Sequence, residues 1–220
     1  MDKLKVTRVQ RVENHQLWQD YSHQCAKLAT LYKGSKGAAA LPRLIERGSV
    51  QRWLENSAIP GGSGVITPDS SNEFHVWHGT KTASVEPITH WGFDKDVAKD
   101  SGLYGAGSYF ADCSSKSHQY TKPDQNTKER CMLYCRVVMG WPHLTKTSHK
   151  TERRPPENSA TPGHPYDSIF AETGVAPRTK GNGGQVQRIC GLSPVPSVPR
   201  ICCVVHRLSV INKPFDGKLV

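Results

Sequence analysis

Residues His75 to Tyr120 read HVWHGTKTASVEPITHWGFDKDVAKDSGLYGAGSYFADCSSKSHQY, and the rest of the chain is organised around this stretch. Glu73 to Trp77 has the composition of a short strand and ends at His78, which Gly79 and Thr80 follow at once. Ser84 or its neighbour opens a short helix through Ile88 that Gly92 closes. Ser108 to Ala111 is a second short strand, and Ser114 to Tyr120 a short helix. Gly105-Ala106-Gly107 is not a dinucleotide-binding fingerprint, because it precedes a strand and a tyrosine rather than a phosphate-cradling helix.

Upstream, Leu4 to Val12 alternates and predicts a half-exposed strand. Asn14 is placed to cap a helix in which Leu17, Trp18, Tyr21, Cys25, Leu28 and Leu31 recur at helical spacing, a core-packing stripe that Gly34 ends. Leu41 to Asn56 reads as a second helix that Gly48 weakens, and Pro60 to Asn72 as a turn-rich loop. Downstream, Cys131 to Met139 is apolar on both faces, the pattern of a central strand. Pro142 to Gly184 is proline-rich and reads mostly as loop, with only Tyr166 to Glu172 ordered.

With 220 residues the chain can bury one sizeable core. It has no apolar run long enough to cross a membrane and no apolar leader after Met1. The expected location is therefore nuclear or cytoplasmic, not secreted. The seven cysteines show no C-x-x-C spacing. Buried, reduced thiols are expected rather than a metal site, with Cys131 and Cys135 on one face of their strand. The formal net charge of +10 suits an anionic partner, either nucleic acid or a cofactor. The charges form no single block, which weakens the nucleic-acid interpretation.

One histidine at a strand end is usually an ordinary packed residue. Here three groups follow in order: His78-Gly79-Thr80, then Gly105-x-Gly107-x-Tyr109-Phe110-Ala111, then Ser114-Ser115-Lys116-Ser117-x-x-Tyr120. Together they resemble the catalytic domain of the poly(ADP-ribose) polymerase family. Val6 to Trp18 resembles that family's entry strand and first helix, Met132 to Gly140 its central strand, and Tyr166 to Glu172 the strand before its catalytic one. The resemblance covers roughly residues 4–187.

The resemblance implies an α/β (α+β) ADP-ribosyltransferase fold, with two packed, mostly antiparallel sheets around a nicotinamide-binding cleft. It implies NAD+ as substrate, protein acceptors of ADP-ribose, and no metal. His78 and Tyr109 would be catalytic-motif residues, and NAD+ would be held by His78, Gly79, Thr80, Tyr109, Lys116, Ser117 and Tyr120. By this likeness His78 bonds a ribose hydroxyl on the adenosine side. The Gly79 backbone bonds the nicotinamide amide, the missing side chain allowing close approach. Ser117 bonds the same amide, Tyr109 and Tyr120 sandwich the ring, and Lys116 lies beside it. The implied domain runs over residues 1–187, with expanded loops at 34–72 and 142–165, and a divergent tail at 188–220.

The third catalytic element departs from the family's pattern. After Gln185-Val186-Gln187, family members that build polymers read Glu-Tyr-Val-Val-Tyr, and the Glu is catalytic, whereas mono-ADP-ribosylating members often carry Ile, Leu or Tyr there; here the position holds Arg188. A guanidinium repels an oxocarbenium-like centre and accepts no hydrogen bond. Pro194, Pro196 and Pro199 also suit a paired strand poorly, so no well-formed last strand is expected.

A one-nucleotide frame slip near codon 187 would account for the tail, the alternative being a genuine divergent terminus. Allowed codons for Arg188 to Leu192, read one base later, give Glu-Tyr-Val-Val-Tyr. Those for Val198 to Cys203 give Tyr-Pro-Glu-Tyr-Val-Val in the same shifted frame. The recurrence of Arg-Ile-Cys at 188–190 and 200–202 follows from this. The tail's Arg188, Arg200, Arg207, Lys213 and Lys218 stand against Asp216 alone, so a slip would also shrink the basic balance.

An ADP-ribosyltransferase is thus the first expectation. An NAD-binding pseudoenzyme and a basic interaction module are the alternatives that Arg188 opens. Sequencing the transcript across codons 184 to 204 should find a displaced nucleotide near codon 187; an unbroken frame would establish Arg188 as genuine.

Overall fold

The computed structural model describes residues 4–33, 73–94, 102–111, 114–148, 154–171, 189–192 and 205–212. Among the described residues eight strands form: β1 (Leu4–Arg11), β2 (Glu73–Gly79), β3 (Ser108–Ala111), β4 (Arg130–Val138), β5 (Pro142–Thr145), β6 (Ser168–Ala171), β7 (Ile189–Leu192) and β8 (Val205–Asn212). Three α-helices accompany them: α1 (His15–Lys33), α2 (Val85–Trp91) and α3 (Ser114–His118). The strands run in the order β1-β8-β4-β2-β3-β7-β6-β5. Every pairing is antiparallel except the edge pair β5–β6.

This ladder is two four-stranded halves. Within the first, β2 and β4 pair over their length, from Glu73↔Val138 to Gly79↔Met132. Between the halves, β2 meets β3 at one pair, Trp77↔Ala111. The two sheets implied by the sequence resemblance are therefore hydrogen-bonded into one surface at a single point. His78 and Gly79 lie just past that point on β2, and Tyr109 and Phe110 lie just before it on β3.

The core follows the strand period. Cys131, Leu133, Cys135 and Val137 alternate along β4 and point to one buried face, with Val76, Val85, Phe93, Phe110, Met139 and Phe170 packed around them. Being flanked by β2 and β8 makes β4 central, as its apolar composition predicts. Cys25, Cys131 and Cys135 carry no disulfide, and the latter two are buried as expected.

Helix α1 begins as its sequence dictates, with the Asn14 side-chain oxygen accepting the Leu17 N–H at 3.1 Å. Leu17, Tyr21, Gln24 and Leu28 are buried, whereas Trp18 and Leu31 lie at the flank, 44% and 40% exposed. The stripe is narrower than the apolar residues suggest, and one of its members is the polar Gln24. Trp18 and Tyr21 face the Arg136 guanidinium of β4 at 5.6 and 5.8 Å from their ring centroids. Arg136 also pairs with buried Glu73 on the adjacent strand, which gives that carboxylate its counter-charge. At the far end of α1 the Tyr32 hydroxyl donates to Asp167, whose carboxylate also accepts the Trp141 N–H at 2.7 Å. Burial holds the Asp167 carboxyl above its usual range even so. The helix is thereby fastened to both half-sheets.

Several local expectations change. β2 extends through Gly79 instead of stopping at Trp77. β1 is exposed on both faces from Lys5 to Arg11 rather than half-exposed, since none of the described elements buries either face at this edge of the sheet. Pro142–Thr145, read as loop, is strand β5; proline is tolerated because it is the first residue of an edge strand. Residues 189–192 and 205–212, expected not to form a good last strand, supply β7 and β8. The three prolines fall between these strands, not within them. The helix expected over Leu41 to Asn56, the loop 34–72 and the Gly34 stop lie outside the described residues. Among the described residues, no helix is long and apolar enough to cross a membrane.

Leu133 is fully buried, so Leu133→Ala should cost about 2–5 kcal/mol in urea unfolding. Val9→Ala on exposed β1 should stay within about 0.5 kcal/mol of the unmodified chain.

Candidate active site

The register of β2 and β4 places His78 opposite Leu133 and Gly79 opposite Met132. The His78 ring lies edge-on to Phe93 at 4.8 Å and tilted against Phe110 at 5.5 Å. Its Nδ1 is 2.8 Å from the Tyr109 carbonyl. A carbonyl can only accept, so Nδ1 carries the proton and Nε2 is the acceptor nitrogen of the neutral ring. Burial pushes the imidazole down to about 4, and the bond to Tyr109 opposes that shift only in part. The residue therefore presents a neutral acceptor at physiological pH.

Gly79 is required by chain packing. A Cβ there would overlap the Ser117 carbonyl oxygen and lie 2.6 Å from its carbon, so the bare Cα lets α3 sit directly on β2. The sequence interpretation gave the missing side chain to ligand approach; the structure gives it to the backbone of α3. Ser117 is 3% exposed, and its hydroxyl donates to the Trp77 carbonyl at 2.9 Å. With its proton so held, Ser117 Oγ has lone pairs left to accept from a ligand N–H.

Tyr109 leaves β3 with its hydroxyl turned into the preceding turn. It donates to the Gly105 carbonyl at 2.6 Å and accepts the Tyr104 N–H at 3.0 Å. Burial raises its phenol pKa, and Tyr120 lies near enough to raise it further. Tyr120 follows α3, its N–H bonded to the Ser117 carbonyl at 3.0 Å, and is 58% exposed. Lys116 Nζ sits 5.8 Å from the Tyr120 ring centroid. Thr80 is part-buried just beyond the end of β2. The motif residues His78, Gly79, Tyr109, Lys116, Ser117 and Tyr120 thus form one connected group at the junction of the half-sheets. Arg188 lies outside the described residues, one position before Ile189, which pairs with Ala111. Among the described residues, no group of three or more His, Cys, Asp or Glu side chains could hold a metal.

Sequence reasoning missed two contributors. Phe93 packs on His78, and its only signal is an apolar residue just after the helix-closing Gly92. The turn at Gly102 to Gly105 holds the Tyr109 hydroxyl; its signal was the glycine spacing around Tyr104.

A mixed α/β domain with an aromatic-lined polar site where two antiparallel half-sheets meet is the class that fold and site define. The family model of the poly(ADP-ribose) polymerase catalytic domain matches residues 1–169, and the chain belongs to that family, with its ADP-ribosyltransferase α/β fold. It is 33% identical over 101 residues to the human protein mono-ADP-ribosyltransferase PARP14, covering 44% of this chain and 5% of that protein. It is 30% identical over 136 residues to human protein mono-ADP-ribosyltransferase PARP12, covering 61% of this chain and 14% of that one. Against the poly [ADP-ribose] polymerase tankyrase of Caenorhabditis elegans the identity is 33% over 75 residues, 33% of this chain and 3% of the relative. The chain thus spans only a small part of the length of these relatives.

Gly79→Ala should destabilise the domain by roughly 1–3 kcal/mol, since β2 and α3 cannot both keep their places. The His78 proton balance is visible in stability. The folded pKa lies below the unfolded 6.5, so this contribution is complete above 6.5 and is lost as pH falls toward about 4. Urea unfolding at pH 7 and pH 5 should show a drop about 1–2 kcal/mol larger in the unmodified chain than in His78→Gln.

Proposed function

We propose that this domain binds NAD+ and transfers ADP-ribose to protein acceptors with release of nicotinamide. The observation that supports this most is the convergence of His78, Gly79, Ser117, Tyr109 and Tyr120 at the Trp77↔Ala111 junction. Their polar groups also have the required sense. The neutral His78 ring accepts a ribose hydroxyl at Nε2. Ser117 Oγ accepts an N–H of the nicotinamide amide, and the Gly79 backbone contacts the same amide. Tyr109 and Tyr120 flank the ring, with Lys116 beside Tyr120, and Thr80 extends the His-Gly-Thr motif along the ligand. In the reaction the C–N bond between nicotinamide and ribose breaks, its electron pair leaving with nicotinamide. The acceptor nucleophile forms the new bond at the ribose carbon and gives up its proton.

That step calls for a carboxylate near the ribose, and Arg188 does not supply one. A frame slip near codon 187 would restore it. For the chain as written, Arg188 favours a second interpretation, a pseudoenzyme that keeps the NAD+ pocket without transfer. The partners are protein acceptors of a nuclear or cytoplasmic domain.

Incubation with labelled NAD+ decides between these. A transferase labels itself, and His78→Ala and Tyr109→Ala abolish the label. A pseudoenzyme shows no label, but NAD+ at 100-fold excess over Kd stabilises it by about 2.7 kcal/mol. Neither label nor stabilisation would overturn both.

A further inference from the structure

Tyr109 is held at both ends. Its carbonyl accepts the His78 Nδ1–H, and its hydroxyl both donates to Gly105 and accepts from Tyr104. The turn it grips is closed by the Gly105 N–H bonding the Gly102 carbonyl at 3.1 Å. Two glycines make that grip feasible. Gly105 sits at φ 91°, in the left-handed region that disfavours side chains. A Cβ on Gly102 would land on the Tyr109 hydroxyl and 2.6 Å from its ring carbon Cζ. Tyr104 in turn is 5% exposed and packs with Ile169 and Ala171 of β6, alongside Leu103 and the Tyr109 ring. The turn is therefore anchored from the second half-sheet, while the Tyr109 carbonyl is anchored to His78 of the first.

From this geometry we infer that Tyr109 is a positioning residue as well as a ring surface: its hydroxyl latches the Gly102–Gly107 turn and fixes that wall of the site against His78. The phenol's one proton is committed to Gly105, so a ligand meets the ring face of Tyr109 and not its hydroxyl. Tyr120, 58% exposed, has no such latch among the described residues. The two tyrosines are unequal: one is a fixed surface and the other is free to adjust to what binds. This rests on the NAD+-binding function proposed above.

Tyr109→Phe keeps the ring and removes only the latch. Hydrogen exchange at the Tyr104 amide, which loses its acceptor, should accelerate about tenfold. Affinity for NAD+, measured by calorimetry, should fall roughly three- to tenfold while the far-ultraviolet circular dichroism is unchanged. Gly102→Ala, which crowds the same hydroxyl, should shift both readouts in the same direction and stands in if the first variant fails to fold. Unchanged exchange at Tyr104 would overturn the latch. Faster exchange with unaltered NAD+ affinity would overturn its positioning role. If the unmodified chain binds no NAD+, the proposed function fails, and exchange at Tyr104 still decides whether the hydroxyl holds the turn.

Discussion

The single pair Trp77↔Ala111 is the constraint on which the rest of the domain depends. Two four-stranded halves pair internally over several residues each, yet among the described residues they join through one residue on each side. A junction so short would let the halves pivot if nothing else crossed it. What crosses it is the hydrogen bond from His78 Nδ1–H to the Tyr109 carbonyl, one residue beyond the pair on β2 and two before it on β3. The Phe93–His78–Phe110 contacts fill the space behind that bond with apolar surface. Desolvation outweighs that bond and keeps the imidazole neutral, so the strut of the fold also carries an acceptor nitrogen.

Helix α3 depends on the same place. It rests on Gly79 because there is no side chain to keep it away, and it is held by the Ser117 hydroxyl on the Trp77 carbonyl. That brings Lys116 and Tyr120 to the site although they are about forty residues from His78 in the chain. Farther out, α1 clamps the ensemble at both its ends. Arg136 and Glu73 hold its first half to β4 and β2, while Tyr32 and Asp167 hold its last turn to the segment entering β6. In these polar knots the buried carboxylate of Glu73 and the half-buried one of Asp167 are each partnered, the first by the Arg136 guanidinium and the second by the Tyr32 hydroxyl with the Trp141 N–H.

Across the junction the chemistry divides unequally. The polar groups on the β2 side are a neutral ring nitrogen, backbone and a hydroxyl, all fixed by neighbours. On the β3 side, the face of Tyr109 is fixed by its own turn. The described residues contain donors, acceptors and flat surfaces suited to holding a ring and its amide. In the proposed reaction, the position whose charge would assist bond breaking is the one Arg188 occupies, one residue before Ile189 at the start of β7.

Much of this was legible in the sequence. An apolar run from Cys131 to Met139 announced β4, Asn14 announced the start of α1, and the ordered motif from His78 to Tyr120 named the residues that assemble and the family they belong to. The reason is that helix and strand periods, caps and short motifs are local, and local chemistry is written residue by residue. Pairing is not local. That Pro142–Thr145 forms a strand depends on β6 lying beside it, and that residues 189–192 form one depends on β3 and β6. Gly79 could be singled out in the sequence, but only the packed structure reveals that its missing side chain makes room for Ser117. Likewise the sequence presented Tyr109 as a ring, and tertiary structure decided that its hydroxyl faces inward to Tyr104 and Gly105, because the folded turn brings a backbone N–H and a carbonyl within hydrogen-bond reach of the half-buried phenol.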